Sequence, residues 1–213
     1  MSVKVGANGE RSVEAEVEVP GSPEEVWRAI ATGRGISAWL GPTTSEERVG
    51  GTVVSESEAD GESVATITAW NKPIGFSTET EEGPGTVTTD WTVEPRANGT
   101  CIVRVVQRCS TDSDTDTAEW DVEFEGRGQI WQACFDMLRL YLTHFADQPG
   151  IDIQLVAFNK ASASETWRIV RSAFVIDEEA RTAVTRSRPV HDGAAELATP
   201  ELAGTIETAR ATY

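Results

Sequence analysis

Histidine occurs only twice in this chain, at His144 and His191, and cysteine three times, at Cys101, Cys109 and Cys134. That shortage argues against a zinc site, a Rieske cluster or a Ser-His-Asp arrangement, each of which needs these residues in tighter groups. His144 near a helix C-terminus suits that end's dipole better than a substrate. Three thiols do not make a secreted disulfide framework. Cys101 and Cys109 lie eight apart, so on one strand they share a face but are too distant to bond. They read as core thiols in a reducing cytoplasm. Basic residues are also scarce, 18 Lys and Arg against 35 Asp and Glu, for a net charge of −17. The deficit is concentrated in residues 1–147, with 11 basic and 26 acidic residues, while 148–213 carry 7 and 9. Such a surface repels phosphate backbones and anionic lipids, so nucleic acid and membrane are not expected partners. No apolar run approaches a membrane span, and no basic-then-apolar signal segment opens the chain. A cytoplasmic location is expected.

What the chain does have is a hydrophobic content of 39%, with 7 Trp and 6 Phe among 213 residues. That is enough for a real core and leaves room for one domain plus an appendage. Val13, Ala15, Val17 and Val19 alternate with Glu14, Glu16 and Glu18, the pattern of a strand with one dry and one wet side. Ser22-Pro23-Glu24-Glu25 follows, a capping box with proline at the first helical position. Gly33 and Gly35 stop that periodicity, and 36–40 reads as a short helical turn. Gly50-Gly51 then predicts a hairpin between strands at 43–49 and 52–58. Further strands are expected at 63–70, 76–80, 86–94 and 100–108, with turns at Asn71-Lys72-Pro73, Gly83-Pro84-Gly85 and Asn98-Gly99. A long helix is expected from Gln129 to Phe145, where Trp131, Cys134, Phe135, Leu138, Leu142 and Phe145 form one apolar stripe. A half-dry antiparallel sheet and such a helix must bury each other.

The tail from 148 to 213 opens with another alternating segment, Ile151 to Leu155, and a second S-x-x-E cap at Ser162 to Glu165. Ser162, Glu165, Trp167 and Arg168 match Ser22, Glu25, Trp27 and Arg28 at a constant offset of 140. Ala163, Trp167, Val170 and Phe174 continue with helical spacing, and Val184 and Ile206 mark short strands. A truncated repeat and a chance pairing of two capped helices both account for the match. Either way the tail is expected to dock on the first domain or on a second protomer.

Residues 11–147 resemble the SRPBCC (START-like) superfamily. Within it they look most like homologues of the C-terminal domain of the activator of the heat-shock-protein-90 ATPase. The resemblance is carried by Val17-Glu18-Val19-Pro20, Ser22 to Ile30, Ile36 to Pro42, Val49-Gly50-Gly51, Ala69 to Pro73, Thr86 to Val93 with Gly99-Thr100, and Trp131 to Leu142. It implies an α+β helix-grip fold: a curved antiparallel sheet wrapped around a long C-terminal helix over 1–147, here with an additional α/β tail at 148–213. The superfamily spans lipid carriers, receptors, cyclases and co-chaperones and shares no catalytic motif, so no catalytic residue carries over.

Three functions stay open. The first is non-catalytic binding of a small, largely apolar ligand in a cavity between sheet and long helix. The second is a co-chaperone-like module that stimulates a chaperone ATPase by contact, its acidic surface meeting a basic partner. The third is a cyclase-type enzyme, disfavoured by the shortage of histidine. Candidate pocket-lining residues are Trp39, Trp70, Phe76, Trp91, Trp131 and Phe135, with Asp90, Arg104 or Gln107 as orienting polar groups. No cofactor or metal is expected. Asp112, Asp114, Asp116 and Glu123 have the spacing of a calcium loop, but Thr117 stands where its sharp turn requires glycine, so a solvated loop fits better.

Overall fold

The alternation of the first long strand sets the architecture. In the computed structural model that strand runs Arg11–Pro20 and buries Val13, Ala15, Val17 and Val19, leaving Glu16 and Glu18 in water. Described are residues 4–5, 10–57, 61–82, 85–111, 117–150, 161–162, 164–168, 174–177, 182–185 and 203–205. They belong to two units, Met1–Val156 and Ala157–Tyr213.

The first unit contains β1 (Lys4–Val5), β2 (Arg11–Pro20), α1 (Pro23–Ala31), α2 (Gly33–Ser37), β3 (Thr43–Ser45) and β4 (Thr52–Ser57). It continues with β5 (Gly61–Asn71), β6 (Gly75–Glu82), β7 (Gly85–Arg96), β8 (Thr100–Thr111) and α3 (Thr117–His144). Eight described strands form one antiparallel sheet in the order β1-β2-β8-β7-β6-β5-β4-β3. β8 therefore returns beside β2, and α3 packs across β2 with Phe135 and Leu138 fully buried. This is the α+β helix-grip fold.

Local chemistry accounts for the elements. Ser22 accepts the Glu25 N–H at 3.3 Å, and the Glu25 carboxylate accepts the Ser22 backbone N–H at 2.7 Å, completing the capping box. Those hydrogen bonds, the backbone one foremost, hold the Glu25 carboxyl below its ordinary pKa. Asn98 and Gly99 both take positive φ, as a tight β7–β8 turn requires. On the convex face Arg104 of β8 meets Glu16 at 2.8 Å and Glu14 at 3.2 Å, while Arg108 pairs with Asp90. These exposed pairs relieve like-charge repulsion along β2 more than they add stability.

Four expectations are corrected. The first helix does stop before the glycines, at Ala31, but the second short helix begins at Gly33, three residues earlier than expected, and so includes both glycines as α2. A Cβ on Gly35 would overlap the Arg28 carbonyl oxygen, and one on Gly33 would press on Ser45 and Thr43 backbone atoms, so α2 packs this close to α1 and β3 only with glycine there. Thr32 joins the two helices, donating to the Arg28 carbonyl at 2.7 Å and accepting from the Gly35 N–H at 3.0 Å. The β3 strand stops at Ser45 because residues 46–51 form a wider loop, in which Glu46 accepts the Arg48 and Thr52 N–H groups. The long helix begins at Thr117, twelve residues before Gln129; Gly126 and Gly128 weaken local propensity there but do not stop it. Phe145 leaves the apolar stripe and is half exposed, because the helix ends at His144 and the chain turns away; Tyr141 is buried instead.

In the second unit residues 164–168 are helical, and Ser162 accepts the Glu165 N–H at 3.4 Å, the first half of a capping box. The helical spacing does not reach Phe174, which opens strand β9 (Phe174–Asp177). β10 (Thr182–Thr185) contains Val184, and β11 (Ala203–Thr205) ends one residue before Ile206. The three pair antiparallel in the order β11-β10-β9. The expected strand at 151–155, the Gly83-Pro84 half of one turn and the Asp112 to Asp116 loop lie outside the described residues, as do the Glu123 side chain and His191. Among the described residues no helix is long and apolar enough to cross a membrane, and no cluster of three potential metal ligands occurs.

Because α2 depends on contact with the Arg28 carbonyl, Gly35→Ala is expected to destabilise the first unit by about 1–3 kcal/mol. Ser22→Ala should cost about 1 kcal/mol. Urea denaturation of both variants checks this, and an unchanged midpoint for Gly35→Ala would contradict the packing described.

Candidate functional site

Two neighbouring rows of side chains cross the concave face under α3. The first is apolar: Trp70 pairs with Phe76, Phe76 with Trp91, Trp91 with Val105, and Val105 with Ala15, strand by strand. Phe76 and Trp91 stack nearly parallel with ring centroids 5.8 Å apart. The row continues on to the helices. Trp27 of α1 meets Trp70 edge-on at 4.9 Å and Phe76 at 5.8 Å, while Trp131 and Phe135 of α3 meet Trp91 at 5.2 and 6.3 Å. One continuous chain of six rings results, and such edge-to-face contacts are worth about 0.5–1.5 kcal/mol each beyond area burial. Its interior members are buried, whereas Trp70 and Trp131 keep partial exposure.

The second row is polar in its middle, between Ile67 at one end and Val13 at the other. Ile67 pairs with Thr78, Thr78 with Thr89, and Thr89 with Gln107. The Trp131 indole N–H donates to the Gln107 side-chain oxygen at 3.1 Å, and the Gln107 amide donates to the Thr89 hydroxyl at 3.2 Å. Thr78 and Thr89 are buried. The concave face therefore changes character within one residue pair along the strands, from aromatic to hydroxyl and amide.

Of the six lining candidates, five belong to the ring chain: Trp70, Phe76, Trp91, Trp131 and Phe135. Trp39 stands apart from those ring contacts; its indole N–H donates to the Ala29 carbonyl at 3.0 Å and ties the end of α2 to α1. Among the polar candidates, Gln107 faces inward, while Arg104 and Asp90 occupy the convex face with acidic and basic partners. Trp27, Thr78 and Thr89 escaped the sequence reading as lining residues. A signal existed for the threonines, since Thr78 and Thr89 are two residues from Phe76 and Trp91 and so share their face. The Trp27 indole N–H is fully buried with no hydrogen-bond partner among the described residues. Outside the grip, a cleft of about 320 Å³ opens between α1, α2 and the C-terminal end of α3.

The three cysteines are buried and form no disulfide among the described residues. Burial raises the Cys101 thiol above its ordinary pKa, reinforced by the nearby Glu24 and Glu25, and raises Cys134 to about 11.

A family model described as polyketide cyclase / dehydrase and lipid transport matches residues 10–143, well over half of the chain. The chain belongs to that family. Its START-like architecture is shared with solved structures of low sequence identity, which bear on fold alone. Protein MLL2253 from Mesorhizobium loti is 20% identical with a TM-score of 0.54, over 63% of this chain and 98% of that one. Protein BH1534 from Bacillus halodurans is 22% identical with a TM-score of 0.52, over 67% and 99%. CalU16 from Micromonospora echinospora is 17% identical with a TM-score of 0.51, over 67% and 83%. Among curated proteins no match is found. The family match covers the two rows and all three helices, and stops short of the second unit.

A folded-state pKa raised by burial means that the neutral Cys134 thiol stabilises the fold. That contribution is whole below the ordinary thiol value of 9.0 and is lost as pH rises towards about 11. Relative to Cys134→Val, the protein should lose up to roughly 2 kcal/mol over that window, measured by denaturation at each pH. Parallel pH profiles for the two proteins would refute the burial-driven shift.

Proposed function

We propose that this protein is a non-catalytic binding protein for a small, largely apolar molecule held between the sheet and α3. The apolar body of the ligand rests against the Trp70–Phe76–Trp91 wall, and one polar group is directed to the Trp131–Gln107–Thr89 row. The observation that carries this reading is the adjacency of those two rows on one concave face, with the rings of Trp70 and Trp131 partly exposed. Small-molecule sites combine a mostly apolar wall with a few fixed polar groups in this way. The family description also supports it, since polyketides and lipids are molecules with extended apolar parts. The row's polar groups are hydroxyls and an amide. They orient a ligand by hydrogen bonds and do not exchange protons near neutral pH, which favours binding over acid–base chemistry.

A second reading is a protein-interaction module of the co-chaperone kind. It is favoured by Ile130 and Met137, seven residues apart on α3 and 59% and 43% exposed.

Native mass spectrometry of the purified protein separates the two. A discrete mass released on denaturation is expected, with rebinding of the released compound quenching tryptophan fluorescence. Gln107→Leu should weaken that rebinding about tenfold through loss of one oriented hydrogen bond. A clean apo mass, together with capture of a chaperone ATPase that Ile130→Glu abolishes, would transfer the assignment to the interaction module.

A further inference from the structure

The cleft outside the grip has a chemistry of its own. Its floor is apolar, made by buried Ala29 of α1 and Leu142 of α3, and its rim carries Arg28 and Arg34. Arg34 makes no hydrogen bond or ion pair with any described residue. In a chain with 35 carboxylates and a net charge of −17, a guanidinium left without one is unusual. Arg28 has only a loose partner, Asp147 at 3.5 Å. Buried Tyr141 is a third donor. Its hydroxyl oxygen accepts the Asp147 N–H at 3.2 Å, and its own proton has no acceptor among the described residues.

The lip of the cleft is held in an unfavourable conformation. Asp147 has φ of +63°, which costs a non-glycine residue energy, and the hydrogen bond from its N–H to Tyr141 and the pairing with Arg28 maintain it. Gly150 fixes the segment further, because a Cβ there would overlap the Ala38 carbonyl oxygen. Two carboxylates also line the cleft. Glu25 is occupied by the Ser22 N–H and hydroxyl at 2.7 and 2.8 Å, and Asp147 by Arg28. The Arg34 guanidinium and the Tyr141 hydroxyl proton are thus donors left without acceptors among the described residues.

We propose that this cleft binds a small organic carboxylate. The carboxylate accepts from Arg34 and the Tyr141 hydroxyl, and an apolar body of about benzene size covers Ala29 and Leu142. A volume of about 320 Å³ accommodates such a molecule. Guanidinium suits this ligand because its planar fork meets both oxygens of a carboxylate at once. The site is separate from the two rows under α3 and takes an acid where those rows take a largely neutral molecule.

The test is a titration of the full chain with benzoate and with its uncharged analogue benzamide, followed by proton–nitrogen NMR. Benzoate is expected to shift the Gly35 and Asp147 amides saturably and to bind at least about tenfold more tightly than benzamide. Arg34→Gln, a change at an exposed position, should weaken benzoate about tenfold and leave benzamide unaltered. Equal affinity for acid and amide would overturn the proposal. So would full benzoate affinity in Arg34→Gln, shifts confined to Thr89 and Gln107, or no saturable shift at all.

Discussion

Burial of Phe135 and Leu138 of α3 against the valines of β2 and β8 is the interaction on which the first unit depends. β2 and β8 are more than eighty residues apart, yet they pair along their whole length, from Arg11 opposite Cys109 to Pro20 opposite Thr100. Val17, Val19, Val103 and Val105 then form one apolar surface. The helix covers it with two side chains that retain no exposed surface. At roughly 25 cal/mol per Å² of apolar area, such a face is far too costly to leave in water. The remaining six strands add on to this pair, and α1 closes the lower end of the same core through Val26, Trp27 and Ile30.

That arrangement explains why the aromatic residues lie where they do. The apolar row leads from β8 across β7 and β6 to β5, and large side chains fill it. Trp91, Phe76 and Trp70 step outward one strand at a time, with Trp27 reaching them from α1. The indole N–H of Trp27 has no acceptor among the described residues, a cost offset by T-shaped contact with the rings of Trp70 and Phe76. One pair further along the strands, aromatic side chains give way to Thr78, Thr89 and Gln107. A face meant only for packing gains nothing from hydroxyls and an amide, because each needs a hydrogen bond to be buried at no penalty. Under Trp131 that need is met within the row, where the indole N–H, the Gln107 amide and the Thr89 hydroxyl bond to one another.

Much of this was legible in the residues, for identifiable reasons. The period-two alternation of Val13 to Val19 and the Ser22–Glu25 capping box are local codes, and both read directly. The stripe Trp131, Cys134, Phe135, Leu138, Leu142 likewise gave the face of α3. The start of that helix did not read, because Gly126 and Gly128 carry a low helix propensity that longer-range structure overrides. Phe145 and Phe174 failed for the opposite reason: spacing continued past the residues where the backbone changed course. Gln107 could be named as an inward group only as one of three, since a one-residue register error exchanges it with Arg108. Arg34 and Tyr141 carried no joint signal at all. More than a hundred residues separate them, and they line one cleft only because α1 and α2 stand beside the end of α3.

α1 and α3 therefore bound both candidate sites, and the division between them follows from helix geometry. On α1, Trp27 enters the ring chain while Arg28, one residue on and about 100° around the axis, faces the cleft. On α3, Phe135 and Leu138 lie over the valines, and Tyr141 and Leu142 carry the same stripe on to the cleft's wall. Gly33 and Gly35 hold α2 close against α1 and β3, so the cleft between α1, α2 and α3 is small and lies beside the core. One amphipathic stripe on α3 thus serves both the grip and the cleft.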